Sequence, residues 1–289
     1  MTPTTHSSVA PEAVATQIDY LVPTSRINRR FWAPGQEYNT GIYQSHPVTI
    51  RNARLAGHEF TLDTHGFTIA RHVTQVTDWP ANYGPVGAYA EEVKAAVSRL
   101  TGADFVVTMG GMQRSSGLTS DTVQPPAAEA HVDFTERCAL RIAEALYRRD
   151  RPAGKGFDRC LLFSLWRVLS PPPQDMPLAL CDARSVRDDE GTHNTKVDVE
   201  VIPEGEALFA PIPGEENMAE ATIFHHSPDH QWWYFPDMAL DEVILIKFYD
   251  SDHSRAWRAP HTAFRDTSRP DARERHSMEF RGVAFFTRD

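Results

Sequence analysis

The second half of the chain is a succession of short apolar and aromatic runs cut at close intervals by turns. No other feature narrows the fold so far. From Arg159 onward it reads RCLLFSLWRVL, PLALCDARSV, KVDVEVI, ATIFHH, WWYF, EVILIKFYDS and SMEFRGVAFF, with SPPPQD, IPEGE, SPDH and FPDM in the gaps. Runs of this length, rich in Val, Ile, Leu and aromatic residues and bounded by Pro, Gly, Asp and Ser, predict strands. Many short strands in one chain are accommodated by a sheet folded onto a second sheet. The expectation is therefore an α+β, mostly β protein: a double-stranded β-helix, or jelly-roll, cupin-like core braced by helices.

Two helices supply the bracing. In YAEEVKAAVSRLTGA, Tyr89, Val93, Val97 and Leu100 recur at helical spacing, and Gly102 stands where a helix stops. In TERCALRIAEALYRR, Thr135 is a candidate N-cap, and Cys138, Ile142 and Leu146 share one face. Upstream, PVTIRNAR reads as a strand, HEFTLDTHGFTIARHV as two alternating runs joined in a hairpin around Thr64-His65-Gly66, and ADFVVTM as another strand. Residues 1–17, rich in Thr, Ser, Ala and Pro, are expected to be mobile, leaving 18–289 as a single domain.

Composition removes several classes of function. A formal net charge of -10 with no concentrated basic block argues against a nucleic-acid partner. No apolar run approaches the length of a membrane span, and the N-terminus lacks the basic and apolar regions of a secretory signal. Three cysteines, Cys138, Cys160 and Cys181, are odd in number and without metal-type spacing, so buried reduced thiols in a cytoplasmic protein are expected. Neither a GxGxxG nor a GxxxxGK[ST] phosphate loop occurs. Arginine dominates the basic residues; lysine occurs only at Lys94, Lys155, Lys196 and Lys247.

One constellation carries chemistry. In His131-Val132-Asp133 two potential ligands lie two residues apart on an extended segment and so project from one face. With His261 far downstream they make the two-His, one-carboxylate set that holds Fe(II) facially and leaves positions open. Fourteen residues after His261 comes Arg275-His276-Ser277, again two side chains on one face of a strand. A guanidinium and a hydroxyl so placed can hold the far carboxylate of a dicarboxylic 2-oxo acid. HxD alone is a weak signal, because Asp133 could simply cap the following helix; the ordered set is more specific.

The segments LWRVLSPPPQDMPLALCDARSV, WWYFPDMALDEVILIKFYDSD, APHTAF and RHSMEFR resemble the AsaB-type hydroxylase/desaturase family, from about Tyr20 to Phe286. That family comprises non-haem Fe(II), 2-oxoglutarate-dependent tailoring oxygenases of secondary metabolism, with O2 as oxidant and a small-molecule substrate. The resemblance implies oxidation of an unactivated C–H bond of a natural-product intermediate or amino acid. It implies His131, Asp133 and His261 as ligands, and Arg275 with Ser277 as the 2-oxoglutarate anchor. The His-to-Arg gap is longer than the common pattern, which keeps Arg273 and Arg281 in play as alternative anchors. A carboxylate at position 133 argues against halogenation, in which a small residue leaves room for chloride. The rival class is a cupin-like Zn(II) hydrolase or isomerase, or a non-catalytic binding protein, neither of which needs a dicarboxylate clamp.

Other conspicuous residues admit two readings each. Trp166-Arg167 lies inside an apolar strand, where an arginine must be paired, by a carboxylate such as Asp182, or must face a cavity and bind an anionic substrate group. Arg114 in GGMQRSS admits similar alternatives, with a surface loop residue preferred. His225-His226-Ser227-Pro228-Asp229-His230 reads as a turn, since Pro228 prevents a helix that would bring His226 and His230 together. Trp232-Trp233-Tyr234-Phe235 reads as a core strand, with an aromatic substrate wall as the alternative.

Overall fold

The computed structural model describes residues 9–287 apart from 24–26, 121, 152 and 155. In chain order its elements are β1 (Ala13–Leu21), β2 (Arg29–Ala33), β3 (Gln36–Asn39), β4 (Tyr43–Asn52), α1 (Leu62–His65), β5 (Phe67–Arg71), α2 (Ala88–Thr101), β6 (Phe105–Ser115), β7 (Val123–Gln124) and β8 (His131–Val132). There follow α3 (Glu136–Asp150), β9 (Arg159–Val168), β10 (Leu178–Cys181), β11 (Thr192–Asp198), β12 (Ala219–Ile223), β13 (Trp232–Tyr234), β14 (Glu242–Asp250), β15 (His261–Ala263) and β16 (His276–Phe286).

The strands form two sheets that face each other as a jelly roll. One is ordered β1-β4-β13-β10-β15-β8-β12-β11-β2-β3, the other β5-β14-β9-β16-β6-β7. Alternation along the central strands of the smaller sheet divides its two faces. From β9, Cys160, Leu162, Trp166 and Val168 join the core between the sheets. Their neighbours Leu161, Phe163 and Leu165 face outward against Tyr89, Val93 and Val97 of α2. A strand buried on both faces has no polar face to show, so β9 reads as a continuous apolar run.

Both longer helices begin and end for the reasons visible in their sequences. Gly102 closes α2 with φ 73°, donating its N–H to the Ser98 carbonyl. Thr135 caps α3, its side chain accepting from the Cys138 N–H. Asp133 is therefore released from capping.

Four expectations are corrected. The segment around Thr64-His65-Gly66 is no hairpin: residues 58–61 are not strand, residues 62–65 form the helical turn α1, and only the second arm is a strand, β5. Gly66 ends that turn with φ 82°, and a Cβ there would lie 2.9 Å from Ala259 Cβ. A left-handed glycine signals a helix end as readily as a hairpin. Second, residues 13–17 are not mobile but belong to β1, which pairs with β4 from Ala13 to Leu21; residues 1–8 lie outside the described part. Third, β11 starts at Thr192 and ends at Asp198, so the VEVI half of KVDVEVI is not strand. Fourth, β6 runs on through Gly110 and Gly111 to Ser115, which places Arg114 in the sheet.

Candidate active site

The site lies between the sheets, where the larger one contributes metal-type ligands and the smaller one a row of charged groups. His131 and His261 are direct cross-strand partners on β8 and β15. The HxD alternation turns Val132 into the core and brings Asp133 beside His131. Asp133 Oδ1 lies 3.3 Å from His131 Nε2 and 3.9 Å from His261 Nε2, and the three ligand atoms fall within 4.8 Å of one another. The side chains of His131, Asp133 and His261 are 11 %, 4 % and 7 % exposed, respectively.

The chemistry of this donor set fits a divalent metal. Each imidazole directs Nδ1 at a backbone carbonyl, His131 at Glu129 O (2.8 Å) and His261 at Ala259 O (3.1 Å). A donated Nδ1–H fixes the tautomer that leaves the Nε2 lone pair free for a metal. Burial, with His131 alongside, pushes the His261 imidazole down to about 4, so it is neutral at physiological pH. Burial disfavours the ionised Asp133, but Arg281 and the His131 hydrogen bond outweigh it and hold the carboxyl well below its ordinary range. A neutral imidazole at His261 and an ionised carboxylate at Asp133 are protonation states that a metal requires.

On the inner face of β16, Ser277, Glu279 and Arg281 precede Val283 and Phe285, which belong to the core. The polar half of that face looks at the ligands. Arg281 Nη2 stands 2.6 Å from Asp133 Oδ2 and 2.5 Å from Glu279 Oε1. Arg114, on the neighbouring β6, reaches Glu279 at 3.3 Å. Arg281 is therefore committed to Asp133 and Glu279, and these carboxylates outweigh its burial to raise its pKa.

Arg275 is different. It is 1 % exposed, its Nη1 donates to Met176 O at 2.7 Å, and its guanidinium lies 5.6 Å from the Trp166 ring centroid. Its Nε has no partner among the described residues, and neither has the Oγ of Ser277, which is fully buried. Burial, with Arg114 as a neighbouring like charge, presses the guanidinium down to about 9. A buried cation with an unpartnered donor, beside an unpartnered hydroxyl, suits a carboxylate. Arg275, Trp166, Ser164, Glu279, His131 and His261 line one narrow recess, so it runs up to the ligand set. The residues present fit both Fe(II) and 2-oxoglutarate.

On the other side of His131 and Asp133 a cleft of about 690 Å3 opens. Its walls include Arg30, Trp32, Met112, Asn194, Lys196, Ala219, Ala221 and Arg281. Its size suits a small molecule.

Arg167 does not join either space. β9 parity turns it away from Trp166, onto the outer face, where Nη2 donates to His72 O (2.8 Å) and Leu240 O (2.9 Å). Its guanidinium lies 5.6 Å from the Trp79 and Tyr89 ring centroids. Neither Asp182 nor a substrate pairs it: the expected substrate contact is replaced by carbonyl and aromatic contacts. Trp166 faces the recess rather than the cleft. Arg273 is exposed, which removes it as an anchor. Trp232 and Tyr234 are core residues, and His230 bonds Glu190 and Tyr20 within the turn.

Sequence reasoning missed Glu279 and Lys196, and for Arg114 it preferred a surface loop over a place facing the cavity. For Lys196 the signal was present: it alternates with Asn194 and Asp198 on the face of β11 that lines the cleft. For Arg114 the signal misled, because a Gly-Gly pair reads as a turn. Gly111 is in fact dictated by packing: a Cβ there would lie 2.7 Å from both Met278 Sδ and Phe280 Cδ2.

Comparison with known proteins agrees with this geometry. Residues 18–285 match a family model described as oxidoreductase/YMDC permease-like domain. Among the described residues, no helix is long and apolar enough to cross a membrane. The hydroxylase/desaturase CTB9 of Cercospora beticola is 33 % identical over 239 residues, covering 77 % of this chain and 71 % of the relative. The hydroxylase/desaturase efuI of Hormonema carpetanum is 30 % identical over 267 residues, with 84 % and 85 % covered. The solved structure of the iron and alpha-ketoglutarate-dependent endoperoxidase NvfI superposes with a TM-score of 0.79 at 26 % identity, covering 96 % of this chain and 99 % of that one. The chain belongs to the hydroxylase/desaturase family of Fe(II)- and 2-oxoglutarate-dependent oxygenases.

Proposed function

We propose that His131, Asp133 and His261 hold the Fe(II), that Arg275 and Ser277 hold the far carboxylate of 2-oxoglutarate in the recess, and that a small natural-product intermediate or amino acid enters the cleft. Fe(II) with 2-oxoglutarate, when bound, supplies the activation of O2 that an unactivated C–H bond requires. The chain's own residues orient and exclude. Glu129 O and Ala259 O fix the two imidazoles through Nδ1. Arg281 occupies Asp133 Oδ2, leaving Oδ1, which faces both histidines, for the metal. Trp166 walls the recess beside Arg275 and keeps water from the clamp. The cleft then fixes which C–H bond lies closest. Hydroxylation, desaturation and ring closure share that positioning and diverge only once the C–H bond is broken; the substrate decides among them. Three buried free cysteines support action in the cytoplasm.

The single observation that carries this reading is the unpartnered pair Arg275 Nε and Ser277 Oγ in the interior beside the ligand set. A zinc hydrolase or isomerase has no use for such a pair. The test is anaerobic addition of Fe(II) and then 2-oxoglutarate to the protein. A weak visible charge-transfer band that needs both additions is expected; its absence, with metal bound, would favour the zinc class.

A further inference from the structure

The cleft contains a cation whose counter-charge the metal takes away. Lys196 lies on β11 between Asn194 and Asp198, side chain half-buried, on the face that lines the cleft. Its cross-strand partner is Ala219, and Asn194 stands opposite Ala221, so small side chains leave space around the ammonium. No hydrogen bond or ion pair ties that ammonium to another described residue. The other cations of the cleft are committed: Arg30 to Glu37 and Glu129, Arg281 to Asp133 and Glu279, Arg114 to Glu279.

The charges around Lys196 are specific. Burial lowers the Lys196 pKa, as do Arg281 and Arg30, against the attraction of Asp133 and, more weakly, Glu279. Asp133 is the proposed metal ligand, so a divalent cation there offsets the carboxylate that most favours Lys196. The cleft lining holds four cations, Arg30, Arg114, Lys196 and Arg281, and four carboxylates, Glu37, Glu129, Asp133 and Asp198. Of these cations Lys196 is the one without an ion pair to a described residue.

We infer that Lys196 is a substrate-specificity residue: it receives an anionic group, of carboxylate size, on the small molecule that enters the cleft. The inference rests on the proposed assignment of the metal and of the cleft. Lys196 and Asp133 line the same cleft, so the anionic group enters the space that reaches the metal ligands. The substrate is therefore an acid. If Lys196 serves only to balance Asp133, its removal changes metal affinity and leaves substrate charge preference untouched.

The experiment uses the full chain loaded with Fe(II) and 2-oxoglutarate under anaerobic conditions. Small organic acids of graded length, each paired with its methyl ester and its amide, are added at millimolar concentration. Binding is read from perturbation of the charge-transfer band and from thermal shift; succinate release in air is then measured for the binders. Acids are expected to bind, and their esters and amides to bind tens of fold more weakly, since a buried charge-assisted bond to an anion is at stake. In Lys196→Met the band should persist while the preference for acids collapses; Lys196→Arg should retain part of it. Failure of the band in the wild type would overturn the metal and co-substrate assignment instead. With the band present, three outcomes overturn the Lys196 proposal: no acid binds, neutral partners bind as well as acids, or Lys196→Met keeps the preference.

Discussion

The recess and the cleft both reach His131, the recess together with His261 and the cleft together with Asp133, yet they treat an arginine in opposite ways. Arg275, in the recess, is buried with its Nε unpartnered and its pKa pressed down. Arg281, beside the cleft, is wedged between Asp133 and Glu279 and its pKa is raised. Both project from the inner side of one chain segment six residues apart, so parity alone cannot tell them apart. Charge compensation can. A buried cation already matched by carboxylates is part of the protein's own architecture, whereas one left short of an anion on the wall of a recess that reaches the metal-type ligands is placed to take a ligand; Arg167, equally short of an anion, faces neither space.

The largest expected effect comes from that difference. Arg275→Ala removes a charge-assisted contact at a desolvated site, worth roughly 2–5 kcal/mol. The 2-oxoglutarate requirement should rise by roughly tens to thousands of fold. Iron affinity should change little, because the ligand set is intact. Arg275→Lys should recover only part, since an ammonium cannot reproduce the planar fork. Titration of 2-oxoglutarate against the charge-transfer band measures this. A loss confined to Arg281→Ala would reverse the assignment of the two arginines.

Arg281→Ala should show the complementary signature, and a smaller one. Asp133 loses the group that holds Oδ2, and iron affinity should fall about ten- to a hundredfold, as for other groups that orient a metal ligand. The 2-oxoglutarate requirement at saturating iron should stay near the wild-type value. pH sharpens the contrast. In the wild type Arg281 keeps the carboxyl ionised well below the ordinary range against the effect of burial. Without Arg281, burial is less opposed and the Asp133 pKa rises. Because the metal needs the ionised carboxylate, iron binding by the variant should weaken as pH falls through mildly acidic values where the wild type still binds. Equal pH profiles would mean that Arg281 does not set the charge state of Asp133.

How much of this was legible in the sequence depends on whether a signal was local. The helix ends were, because Gly102 and Thr135 act within one turn of themselves. So was the ligand set, because His131 and Asp133 owe their common face to strand alternation alone, and His261 is brought in by a strand pairing. Arg167 was illegible: an arginine in a strand buried on both sides gives no indication which face carries the cavity, and the answer came from α2 covering the outer one. β1 was hidden because the polar composition of its surroundings masked Val14, Ile18 and Tyr20, which are buried only once β4 pairs alongside. The Arg114–Glu279–Arg281–Asp133 chain joins β6, β16 and the end of β8, separate in sequence and brought together only by the closed sandwich.

The finest distinction lies around the recess, between two buried hydroxyls without a partner among the described residues: Ser164 Oγ, which lines it, and Ser277 Oγ, close to Arg275 in the chain. Strand register separates them. Ser164 of β9 stands opposite Arg281, towards the metal end of β16, whereas Ser277 stands opposite Val168, next to Arg275. A carboxylate held by Arg275 is thus within the neighbourhood of Ser277. Ser277→Ala should raise the 2-oxoglutarate requirement only several-fold, since one hydrogen bond to a charged group contributes about 1.5–3 kcal/mol at most and water can replace part of it. Ser164→Ala should have a smaller effect. Stability without 2-oxoglutarate should move the other way: replacing a buried, unsatisfied hydroxyl by a methyl group relieves a desolvation cost, so the melting temperature of the unliganded Ser277→Ala protein should equal or exceed the wild type's. The gain in melting temperature on adding iron and 2-oxoglutarate should then be smaller in the variant. Paired melts with and without the co-substrate separate the two contributions. If Ser164→Ala shows the larger loss, the carboxylate lies one strand pair nearer the metal than Arg275 requires.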